Sequence, residues 1–182
     1  MNNLGCKLVD YIRVFDNVVS PDTCERVISE YNKYSLHVKC YDTEKYKFHQ
    51  LNLNETPLAE FSSIFARQLI PYYTQYFTDL NLLDYVPIES FEDVRIKKYS
   101  KDSEEFRVHV DIGDATSAKR FAIAILYLNS NNGYTEFPTL DLKIEPKPGR
   151  LIIFPPTWMF PHLGTMPTDS DKYIMMSCLT YT

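Results

Sequence analysis

The sequence predicts an α+β fold, a sheet-rich barrel or sandwich buttressed by N-terminal helices. Three observations predict it. Before Pro87 two segments place apolar residues at helical spacing, Pro21 to about Tyr31 and Pro57 to about Leu69. Beyond Pro87 short apolar runs are separated by turn signals, notably Asn131-Asn132-Gly133 and Pro146-Lys147-Pro148-Gly149. The length of 182 residues, 45% hydrophobic and 14% aromatic, suits one domain with a sizeable core and leaves little room for two.

In chain order, Ile12 to Phe15 reads as a short strand. Ser20-Pro21 then starts a helix, a hydroxyl at the N-cap and a proline at N1 where no N–H is needed. Its Val27, Ile28 and Tyr31 are spaced to cover a sheet. From Lys33 to Asn52, Tyr34, Tyr41, Tyr46 and Phe48 follow no clear period, which predicts irregular strands and loop, with a flap over a pocket as an alternative. The second helix starts near Pro57, capped by Asn54 or Thr56, and carries a stripe of Phe61, Phe65 and Leu69; Pro71 is expected to end or kink it. Tyr72, Tyr73, Tyr76 and Phe77 read as an aromatic face packed on a sheet rather than a ligand groove. Strands are expected over 93–99, 107–111, 121–128, 143–145, 150–154 and 173–181.

A net charge of −5 and a pI near 5.4 disfavour nucleic acid and anionic membranes as partners. The opening Met-Asn-Asn-Leu-Gly-Cys-Lys lacks the apolar core of a signal peptide, and no apolar run approaches a bilayer span, so the chain reads as cytoplasmic. Cysteines 6, 24, 40 and 178 form no Cys-x-x-Cys pair and are expected to be reduced thiols.

The chemistry concentrates between His109 and Lys172. His109 and Asp111 alternate onto one face of a strand, and His162 can add a third ligand. Two His and one carboxylate around an ion, with positions left open, are the facial triad of non-haem Fe(II) oxygenases. A His-x-acid pair alone is weak, because four His and 24 acidic residues give about 0.5 such matches by chance. Singly, His109 reads as a surface strand residue, His162 as a satisfied core histidine and Lys172 as a solvated turn lysine. His37 and His49 have no such company.

The surroundings decide. Tyr99 stands ten residues before His109; Tyr127-Leu128-Asn129 ends the next strand; Gly133-Tyr134-Thr135-Glu136-Phe137-Pro138 follows, then Pro146 to Phe154 with its Gly149-Arg150, then His162 and Lys172 ten positions on. With Val14-Phe15-Asp16-Asn17, Ser20-Pro21 and Cys24 at the start, this order resembles the Fe(II)- and 2-oxoglutarate-dependent dioxygenases, most closely the prolyl 4-hydroxylase branch. The resemblance is least over residues 33–90. Two departures stand out: Gly133-Tyr134 where relatives often carry Gly-Gly, and Cys178 where many carry Trp. Both bear on pocket shape and substrate and leave the metal ligands in place.

The resemblance implies a double-stranded β-helix (jelly-roll) core over 91–182, supported by residues 1–90. It implies Fe(II) held by His109, Asp111 and His162, with O₂ and 2-oxoglutarate as cosubstrates and ascorbate as a candidate reductant. Lys172 would pair the C5 carboxylate, where an ion pair at about 4 Å is worth on the order of 4 kcal/mol before desolvation, and Tyr99 and Tyr127 would bond the cosubstrate. The implied reaction is hydroxylation of prolyl residues in a peptide or protein, with Arg107 and Trp158 as candidate substrate contacts. Competing readings are a small-molecule or free-amino-acid hydroxylase and a non-catalytic metal-binding module. A nucleic-acid demethylase would need a basic groove that the acidic composition does not suggest.

Overall fold

The computed structural model describes residues 7–182, and at Phe61 and Ile64 the backbone alone. Cys6, and the side chain of Phe61 in the predicted stripe, therefore lie outside the described residues. The described residues form two α-helices, α1 (Pro21–Lys33) and α2 (Ala59–Asp79), and twelve strands. These are β1 (Arg13–Phe15), β2 (Lys39–Asp42), β3 (Lys47–Asn52), β4 (Ser90–Phe91), β5 (Arg95–Tyr99), β6 (Phe106–His109), β7 (Arg120–Tyr127), β8 (Thr135–Phe137), β9 (Leu142–Ile144), β10 (Leu151–Phe154), β11 (His162–Gly164) and β12 (Lys172–Thr180).

The strands pair antiparallel in two sheets. The larger runs β1-β10-β7-β12-β5-β3-β2, with β4 added to the end of β12; the smaller runs β6-β11-β8-β9. Strand alternation explains how one sheet serves two cores. In β7, Ala122, Ala124 and Leu126, followed by Leu128 just beyond the strand, pack with residues of the helices, among them Cys24, Tyr31, Leu69 and Tyr73. Ile123, Ile125 and Tyr127 point the other way and pack with Phe137 and Ile144 of the smaller sheet. β10 and β12 divide likewise: Leu151, Ile153, Met175 and Leu179 on the helix side, Ile152, Phe154, Ile174, Met176 and Cys178 on the other.

Local chemistry sets the element ends. Ser20 Oγ accepts from the Thr23 amide at 3.2 Å, the N-cap that the sequence predicts for α1, a contact worth about 1 kcal/mol. At the start of α2, Thr56 Oγ1 accepts from the Leu58 amide at 3.1 Å and donates to the Leu53 carbonyl at 2.8 Å. Pro71 does not end this helix, which runs on to Asp79. An internal proline costs about 3 kcal/mol. The buried Leu69, Tyr73, Tyr76 and Phe77 on either side of it outweigh that, each aromatic burying 150–250 Å², about 4–6 kcal/mol at 25 cal/mol per Å².

Residues 39–52 are more regular than the sequence suggests: β2 and β3 form a hairpin in register from Lys39–Gln50 to Asp42–Lys47, and β3 pairs with β5. The aromatics that hide the period stack on one another, Tyr41 on Phe48 at 5.2 Å and Tyr46 on Phe48 at 5.4 Å. Strands β8 and β11 have three residues each and leave no periodic signal. Among the described residues no helix is long and apolar enough to cross a membrane. Cys24, Cys40 and Cys178 are free thiols.

Candidate metal centre and its cavity

β6 and β11 are neighbours in the smaller sheet, and their register puts His162 opposite His109. Asp111 lies just beyond β6, its backbone carbonyl held by Arg120 Nη1 at 2.7 Å. The three residues bring one ligand atom each within 4.8 Å of one another. His109 Nδ1 faces the Arg107 carbonyl at 2.8 Å and His162 Nδ1 the Phe160 carbonyl at 3.2 Å. A carbonyl only accepts, so each Nδ1 carries the hydrogen and each Nε2 presents a lone pair to Asp111. Phe106 stacks flat on His109, ring centroids 3.5 Å apart, while Phe137 and Phe154 pack around His162.

This arrangement fits a cation. Among the described residues Asp111 Oδ2 is buried without a hydrogen-bond donor, 3.3 Å from His162 Nε2, so two acceptors face each other. Burial, then the neighbouring His162, push the His109 imidazole down to about 4, with Asp111 opposing; burial also lowers His162. Neutral imidazoles and a carboxylate are the donor set a divalent metal requires, and Nδ1–H to carbonyl bonds are the usual outer support of such ligands.

The cavity beside the triad is lined by Tyr99, Phe106, Thr135, Gly164 and two lysines, Lys97 and Lys172. Lys172 is 2% exposed, and among the described residues its ammonium has one contact at hydrogen-bonding range, the Tyr134 carbonyl at 3.4 Å. It lies over the rings of Tyr99 and Tyr127 at 5.6 and 5.9 Å. Burial pushes it down to about 7. A buried ammonium with no carboxylate partner is costly, and an incoming carboxylate relieves that cost.

The other residues singled out in the sequence divide. Tyr99 lines the cavity, and burial raises its hydroxyl. Tyr127 is set behind it, its hydroxyl donating to Thr135 Oγ1 at 2.7 Å, and Thr135 lines the cavity in its place. The Arg107 side chain is exposed and pairs with Glu105 at 3.2 Å. Trp158 is 78% exposed, on the loop between β10 and β11, so it is not a packing residue. Cys178 is fully buried. Sequence reasoning passed over Lys97, Thr135 and Arg120. Arg120 ties Asp111 to Glu92, donating from Nε to Glu92 Oε1 at 2.6 Å, and Arg95 also pairs with Glu92. Burial raises the Glu92 carboxyl, but the two guanidiniums prevail and hold it below the ordinary value. Alternation from the inward Tyr99 is the signal that places Lys97 on the same face.

Comparison with solved structures gives the same fold. The viral collagen prolyl hydroxylase of Paramecium bursaria Chlorella virus-1, in complex with 2-oxoglutarate, superposes with a TM-score of 0.68 at 21% identity over 92% of this chain and 94% of that one. A Pseudomonas putida prolyl-4-hydroxylase gives 0.69 at 15% identity over 94% and 93%. A Trichoplax adhaerens prolyl hydroxylase in complex with a hypoxia inducible factor peptide fragment gives 0.64 at 13% identity over 94% and 84%. No curated protein sequence is matched. Residues 94–179 match the model of the 2OG-Fe(II) oxygenase superfamily, and this stretch holds the His109, Asp111 and His162 cluster and Lys172. The matched stretch, just under half of the chain, is similar to the 2OG-Fe(II) oxygenase superfamily, whose members use Fe(II), 2-oxoglutarate and O₂.

Proposed function

We propose that this dioxygenase hydroxylates prolyl residues in a peptide or protein, on a double-stranded β-helix core formed by 91–182 and supported by 1–90. The observation that carries the reading is one cavity holding the triad and the unpaired Lys172. The prolyl substrate is supported by three solved structures of like fold that are prolyl hydroxylases, one of them bound to a peptide. A cytoplasmic setting suits its free thiols.

In this reading His109, Asp111 and His162 hold the iron. Fe(II) with O₂ supplies the oxidation, 2-oxoglutarate going to succinate and CO₂ while the second oxygen atom enters a substrate C–H bond. Lys172 pairs the C5 carboxylate, Tyr99 adds a hydroxyl, and Tyr127 acts through Thr135. The two carbonyls that fix the imidazoles keep both Nε2 atoms aimed at one point. Arg107 and Trp158, both exposed, are the candidate peptide contacts.

The test is succinate formation by Fe(II)-loaded protein given O₂ and 2-oxoglutarate, with and without proline-containing peptides. Peptide-stimulated succinate and a peptide mass gain of one oxygen are expected. Succinate indifferent to peptides moves the substrate to a small molecule or free amino acid. No succinate despite metal binding overturns the enzyme reading in favour of a binding module.

A further inference from the structure

The cavity contains one more ammonium group than the C5 carboxylate of 2-oxoglutarate requires. Lys97 is 8% exposed and lines the same cavity as the triad. Its Nζ lies 4.4 Å from the ring centroid of Phe48 and 5.4 Å from that of Phe106, and Phe106 is the ring stacked on His109. Among the described residues it has no hydrogen bond and no ion pair. Aromatic faces repay only part of the cost of burying an ammonium, and the nearby Asp111 carboxylate is the one assigned to the metal, so the site has room for a further anion.

The ladder places the two lysines relative to each other. Lys172 pairs with Tyr99 and Ile174 with Lys97, so the two lysines project from adjacent strands, offset by two residues, roughly 7 Å along the strand. Lys172 is at the end marked by Tyr127, and Lys97 at the end marked by Phe106 and His109. An extended five-carbon diacid has carboxylate carbons about 5 Å apart. The two ammonium groups thus bracket such a molecule lengthwise, with Lys97 on the metal side.

We propose that Lys97 is a second carboxylate-binding residue of this cavity, holding the keto-acid carboxylate of 2-oxoglutarate at the metal end while Lys172 holds the other end. One oxygen of that carboxylate goes to the metal, and the second takes the hydrogen bond from Lys97. The inference rests on the 2-oxoglutarate reading of the site. It makes Lys97 a determinant for any 2-oxo acid, whereas Lys172 selects for the second carboxylate.

The test is anaerobic binding to the Mn(II) protein, with 2-oxoglutarate and with 2-oxopentanoate, which keeps the keto acid and lacks the far carboxylate. Lys97→Met is expected to weaken both ligands by about tenfold to hundredfold, the range for a lost hydrogen bond to a charged group. Lys172→Met is expected to weaken 2-oxoglutarate alone. Lys97→Arg keeps the charge and should bind both ligands within a few-fold of wild type. The unliganded Lys97→Met protein should melt at or above the wild-type temperature, because an uncompensated buried charge has been removed. Unchanged affinity of Lys97→Met for both ligands overturns the proposal and leaves the 2-oxoglutarate reading standing; it is also the result expected if Lys97 serves an acidic substrate. An equal loss of Mn(II) affinity without any 2-oxo acid overturns it too, since Lys97 would then act through Asp111. Failure of the wild-type protein to bind 2-oxoglutarate removes the underlying reading.

Discussion

His109 and His162 stand directly opposite each other in the β6–β11 ladder, ring centroids 4.3 Å apart. Sheet register, rather than a loop, therefore sets the distance between the two ligand nitrogens, and the site should exist before metal arrives. Mn(II) at about a hundred times its dissociation constant should stabilise the protein by about 2.7 kcal/mol, a melting rise of roughly 5–10 °C for a chain of this size. Asp111→Ala should fold and show no rise. A metal-dependent rise that persists in this variant counts against the assignment.

Arg120 holds the Asp111 carbonyl and is itself held by Glu92. It touches no ligand atom, yet it fixes the chain that carries one. Arg120→Met should lower Mn(II) affinity by about 10–100-fold, the usual consequence of losing outer support. Calorimetric titration of metal into the variant checks this, and unaltered affinity would show that Asp111 is positioned by β6 alone.

Burial holds Lys172 at about 7, against an ordinary 10.5. Between those values the unfolded chain binds more protons than the folded one, so the contribution of this group to stability rises with pH across that window. Below about 7 the ammonium is charged in both states and the burial penalty is complete. A carboxylate ligand needs the charged form, so 2-oxoglutarate binding above pH 7 should take up a proton, and affinity should fall by up to about tenfold per pH unit. Lys97, held at about 8, adds a second step that Lys172→Met retains. Calorimetry in two buffers of different ionisation enthalpy counts the protons; no uptake above pH 7 would show that Lys172 is charged in the free protein.

Gly149 has φ +76°, and a Cβ there would press on the Val19 carbonyl oxygen. Gly149→Ala combines left-handed strain with overpacking and should cost about 2–5 kcal/mol. At Gly164 a Cβ would meet Lys172 Nζ at 3.7 Å, an ordinary contact. Gly164→Ala should therefore cost less than about 1 kcal/mol while crowding the carboxylate position. Melting curves separate the two, and equal losses would contradict this account.

The clustering of His109, Asp111, His162 and Lys172 around one cavity was legible because each sits in a local pattern, a strand pair, a turn or a fixed spacing, that survives in the linear chain. Lys97 has the same inward phase as Tyr99, but a lysine in a strand reads as solvated until the neighbouring sheet is seen to cover it. Thr135 and Arg120 matter through partners 8 and 9 residues away whose side chains meet only in the fold. The β2–β3 hairpin was obscured because its aromatics pack on each other rather than alternate cleanly. Of the two outcomes expected at Pro71, an end or a kink, the helix does not end there: the local penalty was read correctly, and the burial around it was worth more.

The triad belongs to the smaller sheet and its adjoining turn, whereas both lysines project from the larger one. The gap between metal and anchor is thus a gap between layers, kept open by Phe137 against Phe154 at 5.0 Å and by Ile144. These side chains act as a spacer between the two layers. A change of one or two methylenes there would shift the triad relative to Lys97 and Lys172 without altering any of those residues.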